Sequence, residues 1–277
     1  MKIARFNHSR IGLLADEQLY DITTFFSSSD PLDVLQALQV MSASELSNIK
    51  STASAHKLSD VEFNSPIPNP SKVVAAPINY KAHVDEMLSN GQAFGHIITD
   101  IRQAGLFLKA PSSVVGPSEG IQQRFLDRRT DHEIELCAVI GKKATCVSKE
   151  NALEHVAGYC LGLDITVRGP EDRSFRKSID TYTVLGPWLV SADEGIDPTN
   201  VDLLLSVNGV VQQQANTSDM VMSVAELIEY ASSFYTLCPG DVLMTGTPQG
   251  VGPIRPGDVL VASAHGLGAM TVHVREA

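Results

Sequence analysis

The sequence predicts an α+β, β-rich fold in which a small N-terminal α/β domain, residues 1–68, precedes a larger β-rich domain, residues 69–277. Three observations carry that prediction. Many short apolar runs bounded by turn residues follow residue 70, and helical periodicity is sparse among them. Between the two parts lies NSPIPNPSK, whose three prolines in nine residues mark an extended interdomain linker. The length of 277 residues suits one large domain with a small companion.

The elements follow in order. KIARF and IGLLADEQLYDI read as two short strands, and PLDVLQALQVM and SASELSNIKSTASAH as helices. After the linker come KVVAAPI, LFLKA, EIELCAVIG, GYCLGLD, PWLVSAD, DLLLSVNGVV, GDVLMTGT, DVLVASA and MTVHV, each short enough for a strand. Turn signals NG, PGD and GP punctuate them. Two helical patterns interrupt the series, KENALEHVAG behind Ser148 and SVAELIEYASSF behind Ser223, both serines being N-cap residues ahead of acids. Such a series predicts a barrel, roll or sandwich.

Composition narrows the function classes. A net charge of −11 and a pI near 5.1, with no basic cluster, exclude nucleic acid and anionic membrane surfaces as partners. MKIARFNHSRIG carries no signal-peptide pattern, and no run approaches the apolar length of a membrane span. Four scattered cysteines without a C-x-x-C pair predict reduced thiols and a cytoplasmic setting. Neither a Rossmann fingerprint nor a P-loop is present, so nucleotide cofactors are not expected.

The chemistry concentrates in DHEIELCAVIG. A strand alternates faces, so Glu133 and Glu135 project the same way while Ile134 and Leu136 face apolar packing. Asp164, closing VAGYCLGLD, supplies a third carboxyl. Three carboxyls without His or Cys at ligand spacing suit a hard divalent ion, Mg²⁺, Mn²⁺ or Ca²⁺. A solvated strand face bearing two ordinary acids is the alternative reading. Cys137 shares the parity of the glutamates and reads as a packed thiol. His83 and Glu86 have the i,i+3 spacing at which a carboxylate orients an imidazole on a helical turn, a spacing that also occurs in surface dyads. Arg168 follows Asp164 by four residues. Lys177 stands alone in a polar stretch. MTGTPQGVG offers backbone N–H groups and the hydroxyls of Thr245 and Thr247 to a ligand carboxylate; without context it is a hairpin turn.

Taken together, NYKAH..E, FLKAPSSVVGP, DHEIELCAVIGK, AGYCLGLD, GPWLVSADE, VNGVVQQ..NTSDM, LCPGDVLMTGTPQGVG and PGDVL resemble the fumarylacetoacetate hydrolase family from about Val73 to Val274. The resemblance implies a mixed β-roll C-terminal domain with Mg²⁺ or Mn²⁺ on Glu133, Glu135 and Asp164. It implies a catalytic His83–Glu86 pair on a lid spanning residues 75–105, with Pro77, Gly91 and Gly95 as flex points. Lys177 then matches the active-site lysine, while Tyr80, Arg168, Thr245, Gly246 and Thr247 contact a small-molecule 2-oxo or diketo acid. The implied activity is hydrolysis of a C–C bond in an acylpyruvate-type acid, in aromatic or sugar-acid catabolism. The alternative is decarboxylation or enol–keto tautomerisation of a related diacid. A homodimer is implied as well. Two departures stand out: Gly169 and Glu171 occupy positions where the family has Asp and a substrate-binding Gln, and the segment to Lys177 is short.

Overall fold

A computed structural model of the protein describes residues 1–89 and 101–277; Gly91 and Gly95, the expected flex points, lie outside the described residues. A twelve-stranded sheet runs in spatial order through Ser54–Lys57, Gln18–Asp21, Arg10–Ala15, Lys2–Phe6, Thr183–Ser191, Val156–Asp164, Ile134–Ile140, Val242–Met244, Val73–Ala75 and Phe107–Lys109. Phe63–Asn64 and Val114–Val115 pair at its side. A five-stranded sheet holds Val210–Asn216, Asp202–Val207, Val259–Ala264, Gly268–Glu276 and Ile121–Gln123. A small third sheet joins Thr166–Val167, Thr130–His132 and Gly252–Pro253. The fold is thus the expected β-rich α+β type. Strands from the first 68 residues share the large sheet with later ones through the antiparallel register Ile3↔Leu189.

Strand alternation sorts the core into two layers. From the Ile134–Ile140 strand, Ile134, Leu136, Ala138 and Ile140 pack with Leu203, Leu205, Leu260 and Val272 of the five-stranded sheet. Cys137 and Val139 face the other way, among Leu35, Leu38 and Ile49 from the helices Pro31–Gln39 and Ala43–Thr52. Both helices begin as their sequences require. Asp30 caps the first, ahead of Pro31, and Ser42 with Glu45 forms a capping box on the second.

Several elements differ from expectation for local reasons. IGLLADEQLYDI is a hairpin of two strands rather than one, because Asp16 and Glu17 adopt positive φ of 51° and 60° and reverse the chain. KENALEHVAG gives a single α-turn, Lys149–Ala152, then a 3₁₀ turn, and the strand begins already at Val156. Ser148 accepts no capping hydrogen bond there. NSPIPNPSK is extended, yet it is buried from Asn64 to Ile67. A short helix, Arg173–Lys177, had no apolar stripe to announce it. The helix Val224–Phe234 forms as expected, with Ser223 and Glu226 in a capping box and Val224, Leu227, Ile228 and Ala231 buried. Replacing Ser223 by Ala leaves the Glu226 N–H without its acceptor and is expected to cost about 1 kcal/mol. Urea unfolding measures the loss, and an unchanged midpoint would show that core packing alone holds this helix.

Candidate metal centre

The ladder between Ile134–Ile140 and Val156–Asp164 assembles the acids. Ile134 pairs with Leu163 and Glu135 with Gly162, and the Asp164 N–H donates to the Glu133 carbonyl at 2.8 Å. One carboxylate oxygen each from Glu133, Glu135 and Asp164 lies within 4.8 Å of the others, and all three residues are buried. Glu133 is not inside the strand, as its spacing predicted, but in a one-residue break after Thr130–His132. There the Ile134 N–H donates to the side-chain oxygen of buried Gln213 at 3.0 Å instead of to a neighbouring strand.

Buried carboxylates require compensation, and its distribution is uneven. Lys177 Nζ reaches Glu133 at 2.8 Å, Asp164 at 2.6 Å and the Thr166 hydroxyl at 2.6 Å. Lys109 is fully enclosed, pairs with the other oxygen of Asp164 and donates to the Tyr182 carbonyl at 2.9 Å. Arg168 bridges Asp131 at 2.7 Å and Glu133 at 3.1 Å. Burial works to raise the Glu133 carboxyl, but the Lys177 and Arg168 charges hold it below the usual carboxylate range. Burial likewise opposes charge on Lys177, yet Asp164 and Glu133 raise it net. Glu135 differs: its hydrogen-bond donor is the Gly246 N–H at 2.7 Å, and burial, reinforced by Asp164 and Glu133, pushes it well above the usual range. A divalent cation among the three oxygens supplies the charge that Glu135 lacks, and an all-oxygen donor set fits a hard ion. The residues therefore fit a divalent metal.

Beside this cluster sits the dyad. His83 and Glu86 share one face of the Lys81–Ser89 helix, with His83 Nδ1 3.2 Å from Glu86 Oε2. Glu86 accepts the Gly250 N–H on both oxygens at 3.1 Å. The hydrogen bond with His83 lowers the Glu86 pKa despite some burial. An ionised Glu86 accepts from Nδ1–H, which leaves Nε2 of the imidazole as the basic atom. His83 is buried and lies close enough to Glu133 to act on it electrostatically, which places the dyad at the acidic cluster.

The other sequence candidates divide. Arg168, Lys177 and Gly246 touch the acids directly. The Thr245 hydroxyl donates to the Leu136 carbonyl at 2.9 Å. Thr247 accepts from Gln213 Nε2 at 2.8 Å and keeps its own O–H to donate. Tyr80 is buried, its hydroxyl has no partner among the described residues, and burial together with Glu135 raises its pKa. Cys137 is buried and packs against Gly162 as a thiol. Sequence reasoning gave no role to Lys109, Asp131 or Gln213. The one signal for Lys109 was its position in LFLKA, where alternation sends Phe107 and Lys109 to the same interior face.

A family model described as the fumarylacetoacetate (FAA) hydrolase C-terminal domain matches residues 72–275. The chain is 48% identical to a maleylpyruvate hydrolase of Aquipseudomonas alcaligenes, across 99% of each chain. It superimposes at a TM-score of 0.86, with 32% identity, on a maleylpyruvate hydrolase from Sphingobium sp. SYK-6 in complex with manganese(II) and pyruvate, covering 100% of this chain and 99% of that one. An oxaloacetate tautomerase of Xenopus laevis, fahd2, is 33% identical over 98% of this chain and 89% of its own.

Lys109→Met leaves Asp164 with one ammonium partner in an apolar enclosure. Removing half of a buried ion pair typically costs about 3–5 kcal/mol, and that loss is expected in urea unfolding without metal. Added Mn²⁺ should recover part of it by neutralising Asp164. A variant as stable as the parent in metal-free buffer would show that Lys177 alone balances the aspartate.

Proposed function

The chain belongs to the fumarylacetoacetate hydrolase family, and from that membership we propose that it cleaves a dicarboxylic acylpyruvate of the maleylpyruvate type. It is a divalent-metal-dependent hydrolase of a C–C bond in an acylpyruvate-type 2-oxo acid. Glu133, Glu135 and Asp164 are the proposed ligands and Mg²⁺ or Mn²⁺ the proposed ion, with His83, Glu86 and Lys177 as the catalytic groups. The observation that carries the reading is the His83–Glu86 dyad beside three buried carboxylates, in a chain similar over nearly its full length to a maleylpyruvate hydrolase. The reading includes a cytoplasmic homodimer. All four cysteines are free thiols, which suits a reducing compartment, and no described helix is long and apolar enough to cross a membrane.

A divalent ion at the three carboxylates supplies Lewis-acid charge to the oxygens of the 2-oxo acid. Nε2 of His83, with Nδ1–H held by Glu86, takes a proton from water, and the resulting hydroxide adds to the acyl carbonyl. When the C–C bond breaks, its electron pair goes to the carbon that becomes the pyruvate methyl. The imidazolium returns its proton there, giving pyruvate and the free acid. Lys177 adds a buried positive charge where negative charge develops on the pyruvate side. Tyr80, Thr247 and Arg168 are proposed contacts for the substrate carboxylates. The similarity to an oxaloacetate tautomerase favours a second reading, in which the same site moves protons without hydrolysis.

EDTA is expected to abolish turnover of maleylpyruvate or fumarylpyruvate, and Mg²⁺ or Mn²⁺ to restore it. His83→Ala is expected to lower kcat by at least about a hundredfold, the scale of general-base catalysis, with Mn²⁺ affinity in calorimetry unchanged. Glu86→Ala should be milder, since the imidazole remains. Hydrolysis by His83→Ala within a few-fold of the parent would remove the water-activation role and put the tautomerase reading first.

A further inference from the structure

The segment between Asp164 and Lys177 departs from the family pattern at Gly169 and Glu171, and the structure shows what those residues build. Arg128 grips Glu171 through Nη1 and Nη2, at 3.1 and 2.8 Å, and also donates from Nε and Nη2 to the Arg168 carbonyl at 3.2 and 2.9 Å. A Cβ on Gly169 would collide with the Arg128 guanidinium and the Glu171 carboxylate, so glycine is what lets this fork close. Glu171 is thereby turned away from the acidic cluster. Its backbone carbonyl instead accepts from Arg176 Nε at 2.8 Å, while Arg176 Nη1 donates to the Val167 carbonyl at 3.3 Å. The short helix then delivers Lys177 into the cluster from the very next position.

The cations of the interior are already committed. Lys109 and Lys177 serve Asp164 and Glu133, and Arg168 serves Asp131 and Glu133. With a divalent ion bound and Glu135 ionised, Asp131, Glu133, Glu135 and Asp164 would carry four negative charges, against three positive ones on Lys109, Lys177 and Arg168 and two on the ion. Arg129 also pairs with Asp131, from a largely exposed position where solvent screens it. A divalent ion and one substrate carboxylate close that balance, which leaves nothing for a second carboxylate. Arg176 is half-buried, and among the described residues it forms no ion pair; its described side-chain partners are the two carbonyls. Burial and then the nearby Arg168 work against its charge and outweigh the support of Glu133 and Glu171, and a bound anion would offset that deficit.

We propose that Arg176 is a specificity-determining residue that takes the distal carboxylate of a dicarboxylic acylpyruvate while the 2-oxo acid end sits at the metal centre. The assignment rests on the hydrolase reading for the identity of the substrate, and it commits the site to diacids over monocarboxylic acylpyruvates. Arginine suits the task because its planar fork can keep donors on the carbonyls and still present N–H groups to a carboxylate.

Calorimetry on the Mn²⁺-loaded protein with pyruvate and with 2-oxoadipate tests it independently of turnover. Arg176→Gln is expected to weaken 2-oxoadipate about ten- to a hundredfold, the range for hydrogen bonds to charged groups, and to leave pyruvate within twofold. Arg176→Lys should fall between. In kinetics the same variant should raise KM for fumarylpyruvate and leave acetylpyruvate unaffected. Equal weakening of both ligands, or unchanged affinity for 2-oxoadipate, overturns the assignment. If the parent protein hydrolyses no acylpyruvate, the hydrolase reading falls, while the pyruvate–oxoadipate comparison still decides the role of Arg176.

Discussion

Three carboxylates held together in an apolar interior are the constraint on which this structure is organised. Ionised groups out of water are costly unless cations or hydrogen bonds compensate them. The compensation comes from segments far apart in the chain. Lys109 ends the Phe107–Lys109 strand, Lys177 ends the Arg173–Lys177 helix, and the Gly246 N–H follows the Val242–Met244 strand. Each must arrive for the ladder between Ile134–Ile140 and Val156–Asp164 to be tolerable as a buried element. Charge balance therefore ties the closing of the large sheet to the assembly of the site. The uncompensated member, Glu135, is the one left for an ion.

The same economy links the metal side to the dyad. Gln213 is fully buried and uses both ends of its amide: the oxygen accepts from Ile134 N–H, and the nitrogen donates to Thr247 and the Pro248 carbonyl. Ile134 adjoins Glu133, and the loop through Pro248 continues to Gly250, whose N–H holds Glu86. One glutamine thus fastens a proposed ligand and the support of the proposed base to the same strand. A buried amide satisfied at both ends specifies geometry more than it adds stability. That is the need of a site in which a base and an ion must act on neighbouring atoms.

Much of this was legible in the sequence, and the exceptions share a cause. The nine apolar runs after residue 70 all contain strands, because alternation and turn residues are local signals. The hairpin at Asp16–Glu17 was missed because positive φ came without glycine or asparagine, and the helix expected over KENALEHVAG stops at His155 because a strand starts at Val156. The acidic trio was visible as spacing plus a third acid. Its balance was not, since Lys109 and Asp131 acquire meaning only from partners 55 and 37 residues away. The break at Glu133 depends on Gln213, which takes the Ile134 N–H from 79 residues on. Local chemistry is written in local sequence; compensation is a tertiary property.

Chemistry and selectivity also occupy different parts of the chain. The ladder carries two of the proposed ligands, Glu135 and Asp164, and nearly every side chain along it is buried on one face or the other, so a change there disturbs core packing and charge together. Residues 168–177 connect two charged anchors, Arg168 and Lys177, across a partly exposed turn. That turn accommodates Gly169 and Glu171 because Arg128 absorbs the Glu171 carboxylate. Once it does, the backbone carbonyls of Val167 and Glu171 are free to seat a different cation. A scaffold with a buried acidic trio and one adjustable turn can hold its proposed reaction type while its preferred acid changes. This separation gives a physical reason why one acidic trio is compatible with more than one substrate.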